Sequence, residues 1–182
     1  MTNDGTWRIG DNPFAVPPEL KDRVRQLRGR LAAPVTVWTA AFSDGRPVGI
    51  TVSSVLVGEG EPPVILGLIG TLTEFWEAVI ESRRFVVHVL NEDQRRAADE
   101  FAGRYTQVTF TAGWSSADQS EWGPILSDIG TRAYCRLGGF MESGYFLLVR
   151  GDIERIELED PAPPPLVHYR GGYSGLRPRR GR

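Results

Sequence analysis

Hydroxyl side chains gather at two places in this chain. Gly49-Ile50-Thr51-Val52-Ser53-Ser54 carries Thr51, Ser53 and Ser54 where a strand-like run ends. In a regular strand Thr51 and Ser53 share one face, and Val52 and Ser54 the other. Hydroxyls beside free backbone N–H groups suit a phosphate or the polar edge of a ring. The same residues would serve equally as an ordinary strand edge. The second pair is Thr71 and Thr73, flanking Leu72 ahead of a helical pattern. Thr71-Leu72-Thr73-Glu74 has capping-box spacing. A helix N-terminus holds anions through unpaired N–H donors and its dipole, although capping alone also accounts for these residues.

Other reactive groups are few. His88 and His168 are the two histidines, and no H-x-x-x-H or H-E-x-x-H joins them. His88 sits in an apolar strand pattern, where a satisfied core histidine is the plain reading. Cys135, the one cysteine, lies mid-strand between Tyr134 and Arg136 and reads as a buried, inert thiol. One cysteine excludes an internal disulfide and a multi-cysteine zinc site. No G-x-G-x-x-G follows a strand, and neither a P-loop nor a G-x-S-x-G is present. Dinucleotide binding on a Rossmann unit and nucleophile-elbow hydrolysis therefore have no support.

The elements that must position these groups are mostly strands. Leu20, Val24, Leu27 and Leu31 recur at helical spacing after Pro17-Pro18, and Pro34 ends that helix. Val35-Thr36-Val37-Trp38-Thr39 is β-branched and aromatic. Asp44-Gly45 predicts a hairpin, with Pro47–Ser54 as the returning strand. Val55-Leu56-Val57 continues extended, and Val64–Ile69 is a nearly continuous apolar run. A helix follows Thr71-Leu72-Thr73-Glu74. Arg84–Leu90 is another strand. Asn91 and Gln94 then cap a helix whose apolar face is Ala97, Ala98 and Phe101, running to Gly103. Thr106–Thr111 is a short strand, and Ala112–Gly123 a loop whose Trp114 and Trp122 pack on a core or line a pocket. Arg132–Met141 and Tyr145–Leu158 are long strands around Glu142-Ser143-Gly144, and Leu166–Tyr169 is the last short strand. Many strands, few helices and tight turns predict a mainly β protein, a β-barrel with peripheral helices.

The chain has 182 residues, 41% hydrophobic and 24% charged, which fits one domain. Residues 1–16 read as an N-terminal arm, 17–176 as the domain and 177–182 as a basic tail. Of 21 basic residues only Lys21 is lysine, and the net charge is −2. No basic stripe indicates nucleic acid. No apolar run is long enough to span a membrane, and Met1–Gly10, which holds Asp4 and Trp7 and no apolar core, does not read as a signal peptide. A cytoplasmic protein is expected.

An ordered set of motifs carries a resemblance: Pro34-Val35-Thr36-Val37-Trp38-Thr39, Asp44-Gly45, Gly49–Ser54, Pro62-Pro63, Thr71-x-Thr73, Arg84–Leu90, Phe101-Ala102-Gly103 and Pro165–Tyr173. From about Leu27 to Leu176 the chain resembles the flavin reductase family with the FMN-binding split-barrel (Greek-key) fold. That family comprises the reductase partners of two-component flavin monooxygenases. The resemblance implies a homodimer with FMN or FAD at the subunit interface. It implies that Val35, Thr36, Val37, Trp38 and Thr39, with Thr51, Val52, Ser53 and Ser54, line the isoalloxazine. It also implies that the turn Thr71, Leu72 and Thr73 helps hold the flavin phosphate, with the aromatic Tyr173 near the same groove. The implied reaction is hydride transfer from C4 of NAD(P)H to N5 of the flavin, for delivery to a partner oxygenase. The cofactors carry that chemistry and the protein orients them.

Two positions depart from the family pattern. Tyr145 stands where many members have the histidine of a Gly-Asp-His that positions the nicotinamide, and His88 stands where asparagine is frequent. Tyr145 and His168 are the candidates closest to the chemistry. Tyr145 and the tryptophan loop also motivate an alternative, a flavin-dependent enzyme acting on its own small organic substrate, aromatic ones included. A non-enzymatic flavin-binding protein is the third reading. No metal is expected.

Overall fold

The computed structural model describes residues 18–103 and 119–176. The expected arm, the Thr106–Thr111 strand, Trp114 and the basic tail lie outside those residues. The chain opens with α1 (Pro18–Gly29). Val24, Leu27 and Leu31, the expected apolar stripe, are all more than half exposed rather than packed within the chain.

Seven strands then form one antiparallel sheet: β2 (Thr36–Ala41), β3 (Pro47–Val52), β4 (Val55–Gly58), β5 (Val64–Gly70), β6 (Arg84–Val89), β9 (Arg132–Ser143) and β10 (Phe146–Glu157). Their order is β3-β2-β6-β9-β10-β5-β4. The two edge strands, β3 and β4, are consecutive in the chain, joined only by Ser53-Ser54. The sheet therefore curls until its edges approach, and the Leu68 N–H donates to Ser54 O at 3.2 Å, which carries the β4–β5 ladder one residue into that connection. This is a split barrel. Two register shifts in the β9–β10 pairing, one between Arg150 and Gly151 and one between Ile153 and Arg155, help the long hairpin bend round it.

The β2–β3 hairpin turns at Asp44-Gly45, with Gly45 at φ 83° as that turn requires. The β9–β10 turn is tighter than the sequence suggests. Ser143 pairs with Phe146, leaving Gly144 and Tyr145 as the two loop residues, with Gly144 at φ 60°. Tyr145 is thus a turn residue and does not begin a strand.

Two helices cover the barrel, α2 (Glu74–Ser82) and α3 (Arg95–Phe101). The capping reading at Thr71 is off by two positions: Thr73 is the N-cap of α2, and its Oγ1 accepts from Trp76 N at 3.3 Å. At α3, Gln94 reaches back as expected, its Oε1 accepting from Asn91 N at 2.9 Å, but Asn91 closes a turn ahead of the helix, and Gln94 itself stands at the N-cap position without a side-chain cap bond.

A second sheet of three strands joins β1 (Ala33–Pro34), β11 (Leu166–Tyr169) and β12 (Gly172–Gly175). The strand β12 was not expected. A short ladder pairs β7 (Gln119–Ser120) with β8 (Gly123–Pro124). Strand β2 runs between two cores. Trp38 and Ala40 face the barrel interior with Ile65, Ile69, Phe75, Phe85 and Val149. Val35 and Val37 face the other way, onto Leu90, Ala97, Ala98, Phe101, Leu126 and Leu166.

Candidate functional site

The seam between the barrel edges opens into a groove of about 450 Å³. Three parts of the fold meet there. Ser53 and Ser54 come from the β3–β4 connection. Arg28 comes from the last turn of α1, and Leu31 from the turn that follows it. His168 comes from β11, where it pairs with Ala33. The floor is the outward face of the sheet, whose inward face is the barrel core. Leu56 pairs with Leu66 and Leu68 with Leu148, so these four side chains form one contiguous apolar patch. Among the described residues no carboxylate lines the groove. The Arg28 guanidinium donates to Ser53 Oγ at 3.1 Å. A leucine floor with hydroxyls and one cation at its rim takes a flat amphipathic anion.

The candidate residues divide into three groups. Ser53, Ser54 and His168 come together in this groove, with the Tyr173 ring edge-on to His168 at 5.7 Å and packed on the second core. A second group stands past the far end of β5 and β10. Gly70 pairs with Phe146, so Thr71–Thr73 and Tyr145 follow on the same end of those strands. At strand rise, Tyr145 is about 10 Å along the chain from Leu148. Leu72 and Tyr145 are exposed, whereas Thr73 holds its helix cap and donates to Gly70 O at 3.0 Å.

The third group is buried. Val35, Thr36, Val37, Trp38 and Thr39 are all at most 2% exposed, and Val52 is buried with them. Their polar atoms are occupied internally. Thr36 Oγ1 donates to Val52 O at 2.7 Å and accepts from Trp38 Nε1 at 3.0 Å, and Thr39 Oγ1 donates to Pro124 O at 2.6 Å. Thr51 Oγ1 donates to Ala98 O at 2.7 Å, which ties the barrel to α3. Within this chain β2 shapes the site from behind and presents no surface to it.

His88 is fully buried and used on both sides. Nδ1 lies 3.2 Å from Val37 O, and Nε2 accepts from Leu126 N at 3.1 Å. The neutral tautomer with the proton on Nδ1 satisfies both bonds. Burial drives its pKa down to about 3. Cys135 is buried among apolar side chains and its thiol pKa is pushed up, so no thiolate forms near neutral pH. Trp122 packs rather than lining the groove. Its ring meets Tyr134 edge-on at 5.2 Å, and Nε1 donates to Glu154 at 2.7 Å. No group of metal-ligating side chains occurs among the described residues.

Arg28 and the groove leucines were not singled out from the sequence. A signal for the leucines was there: the unbroken apolar run Val64–Ile69 means that both faces of β5 are apolar, one for the core and one for the groove. Arg28 carried no such signal, because its contact spans 25 positions and depends on where α1 ends.

The family model described as "Flavin reductase like domain" matches residues 28–177. An NADH:riboflavin 5'-phosphate oxidoreductase of Streptomyces pristinaespiralis is 32% identical over 161 residues, covering 88% of this chain and 89% of that protein. The reductase subunit HsaB of a flavin-dependent monooxygenase from Mycobacterium tuberculosis is 30% identical, covering 86% and 82%. Among solved structures, nitrilotriacetate monooxygenase component B from Mycobacterium thermoresistibile superposes with a TM-score of 0.79 at 26% identity, covering 90% and 91%.

Proposed function

The chain belongs to the flavin reductase-like family, and on that premise we propose that it is an NAD(P)H-dependent oxidoreductase that reduces FMN or FAD. The observation that carries this reading is the groove at the barrel seam, with its leucine floor and its rim of Arg28, Ser53, Ser54 and His168. Its volume lies in the range of small-molecule sites, and its donor set suits an apolar ring system with an anionic, hydroxyl-bearing tail.

The flavin, when bound, supplies the redox chemistry by accepting a hydride from the reduced nicotinamide. The chain's own part is placement. Leu56, Leu66, Leu68 and Leu148 support the ring and exclude water from one face. Ser53 and Ser54 offer hydroxyls to its polar edge or tail. His168, held edge-on by Tyr173, borders the space above. The buried β2 backs the seam through its pairing with β3, and a braced seam would lower the reorganisation needed to hold the two rings together.

We place the protein as a homodimer that hands reduced flavin to a partner oxygenase by diffusion, in the cytoplasm. Exposed Leu27, Leu31, Leu56, Leu72 and Phe146 give apolar surface for a second copy. No helix of the described residues is long and apolar enough to cross a membrane.

The test is NADH and NADPH oxidation at 340 nm with FMN, with FAD and without added flavin, paired with flavin binding to a Ser53→Ala/Ser54→Ala variant. Oxidation dependent on added flavin, and weaker binding by the variant, are expected. Tightly retained flavin without NAD(P)H oxidation would overturn the reductase reading in favour of an enzyme acting on its own organic substrate.

A further inference from the structure

We propose that Arg28 is a specificity-determining residue of this groove, anchoring a phosphate monoester on the nucleotide that enters it. The inference rests on the reading of the groove as a flavin and nicotinamide site, and goes beyond it by naming which feature of the nucleotide is selected.

Arg28 lies in the last turn of α1, where a cation also complements the helix dipole. Dipole complementation alone would leave the side chain free to extend into solvent. Instead its guanidinium reaches across to Ser53 at the barrel seam. Ser53 accepts one N–H, which fixes the fork at the groove rim and leaves the other donors of the planar group available. Among the described lining residues Arg28 is the one permanently charged side chain, and no carboxylate among them competes for it. Among the described residues it forms no ion pair. A guanidinium already oriented by a neutral hydroxyl, beside an apolar floor, binds a phosphate dianion with little ordering cost. A second hydroxyl, on Ser54, lines the same rim.

Two nucleotides carry such a group: FMN at its 5'-phosphate and NADPH at its 2'-phosphate. The shared chemistry is a terminal phosphate monoester, which riboflavin, adenosine and NADH lack.

The experiment is equilibrium binding to the full chain and to Arg28→Gln, followed by flavin fluorescence and by ligand-observed NMR. The probes are two pairs: FMN against riboflavin, and 2'-AMP against adenosine. Arg25→Gln removes the same charge one turn earlier on α1 and controls for long-range electrostatics. Arg28→Gln is expected to weaken one phosphorylated probe about tenfold, to leave its unphosphorylated partner unchanged, and to be partly rescued by Arg28→Lys. Loss confined to FMN places the flavin phosphate at Arg28. Loss confined to 2'-AMP places the nicotinamide nucleotide's phosphate there. Equal loss for both members of each pair, no loss for any, or the same loss in Arg25→Gln overturns the proposal. If neither FMN nor riboflavin binds the unaltered protein, the flavin reading fails on its own, and the 2'-AMP pair still decides the role of Arg28.

Discussion

The indole of Trp38 fills the space above Gly67, so closely that a Cβ on Gly67 would stand 2.7 Å from the ring. The ring has nowhere to go. It stacks on Phe85 at 5.1 Å and 10°, meets Phe75 edge-on at 6.2 Å, and donates its N–H to Thr36. Gly67 lies in β5 between Leu66 and Leu68 of the groove floor, paired with Val149 and Val55. The Trp38–Gly67 contact therefore sets how near β2 and β5 approach across the barrel, and with it the shape of the floor. Gly67→Ala is expected to destabilise the fold by about 1–3 kcal/mol, as overpacking does. Thermal unfolding would show a fall of several degrees, and an unchanged midpoint would mean that the indole can yield.

Thr73 and Thr71 offer a paired test of helix entry. Thr73 Oγ1 caps α2, so Thr73→Ala should cost about 1 kcal/mol. Thr71→Ala should stay within about 0.5 kcal/mol, the usual range for a surface change. Urea unfolding of the two variants checks this. Equal losses would put Thr71 back into the cap.

These residues also show what the sequence could and could not disclose. Local chemistry was readable: Asp44-Gly45 is the hairpin turn, His88 is a core histidine, and Ser53-Ser54 do border a cleft. The capping frame was misjudged because both Thr71 and Thr73 can cap, and only the path of the chain out of β5 selects between them. The sequence alone puts Tyr145 in a strand because Ser143, Gly144 and Tyr145 all suit a turn, and the register of Ser143 against Phe146 is fixed by the whole β9–β10 ladder. The groove itself is non-local. It arises because β3 and β4, adjacent in sequence, are opposite edges of one sheet, with α1 and β11 brought alongside through β1. The resemblance assigns Val35–Thr39 to the cofactor site; within this chain, alternation in that strand divides their side chains between two cores.

His88 makes stability depend on pH. Its folded pKa, about 3, lies far below the unfolded value near 6.5. Between those values the unfolded chain takes a proton that the folded chain refuses, so stability rises with pH. His88's contribution is complete above about pH 6.5 and is lost as pH falls towards 3. From pH 6.5 to 5 the loss amounts to about 2 kcal/mol, at about 1.4 kcal/mol per pH unit. His88→Asn keeps a donor and an acceptor but does not titrate. Urea unfolding at pH 7 and pH 5 should show a smaller drop for the variant by about that amount. Parallel drops would mean that the histidine is not the proton acceptor.

Arg83 ends α2 in the left-handed region, at φ 63°, where its N–H donates to Val79 O at 2.9 Å. A side chain in that conformation costs about 1 kcal/mol that glycine does not. Arg83 is exposed and its side chain makes no ion pair among the described residues. Arg83→Gly should raise stability by up to about 1 kcal/mol, seen as a higher unfolding midpoint with unchanged flavin binding. A lower midpoint would assign the side chain a packing role.

Leu68 separates the groove floor from the core behind it. Its neighbours Gly67 and Ile69 point into the barrel, whereas Leu68 is 39% exposed on the outer face opposite Leu148. A carboxylate introduced there meets solvent rather than the core, so Leu68→Glu should leave the unfolding midpoint within a few degrees. The same carboxylate would wet the floor and repel an anion approaching the Arg28–Ser53 rim, which predicts flavin binding at least about tenfold weaker. Leu72→Glu adds an equal charge at a more exposed leucine in the turn that follows β5, beyond the groove lining. Fluorescence titration with FMN should therefore rank the variants Leu68→Glu, then Leu72→Glu, then the unaltered chain, in order of increasing affinity. The reverse order of the two variants would move the flavin from the seam to the turn at Thr71–Thr73 and Tyr145.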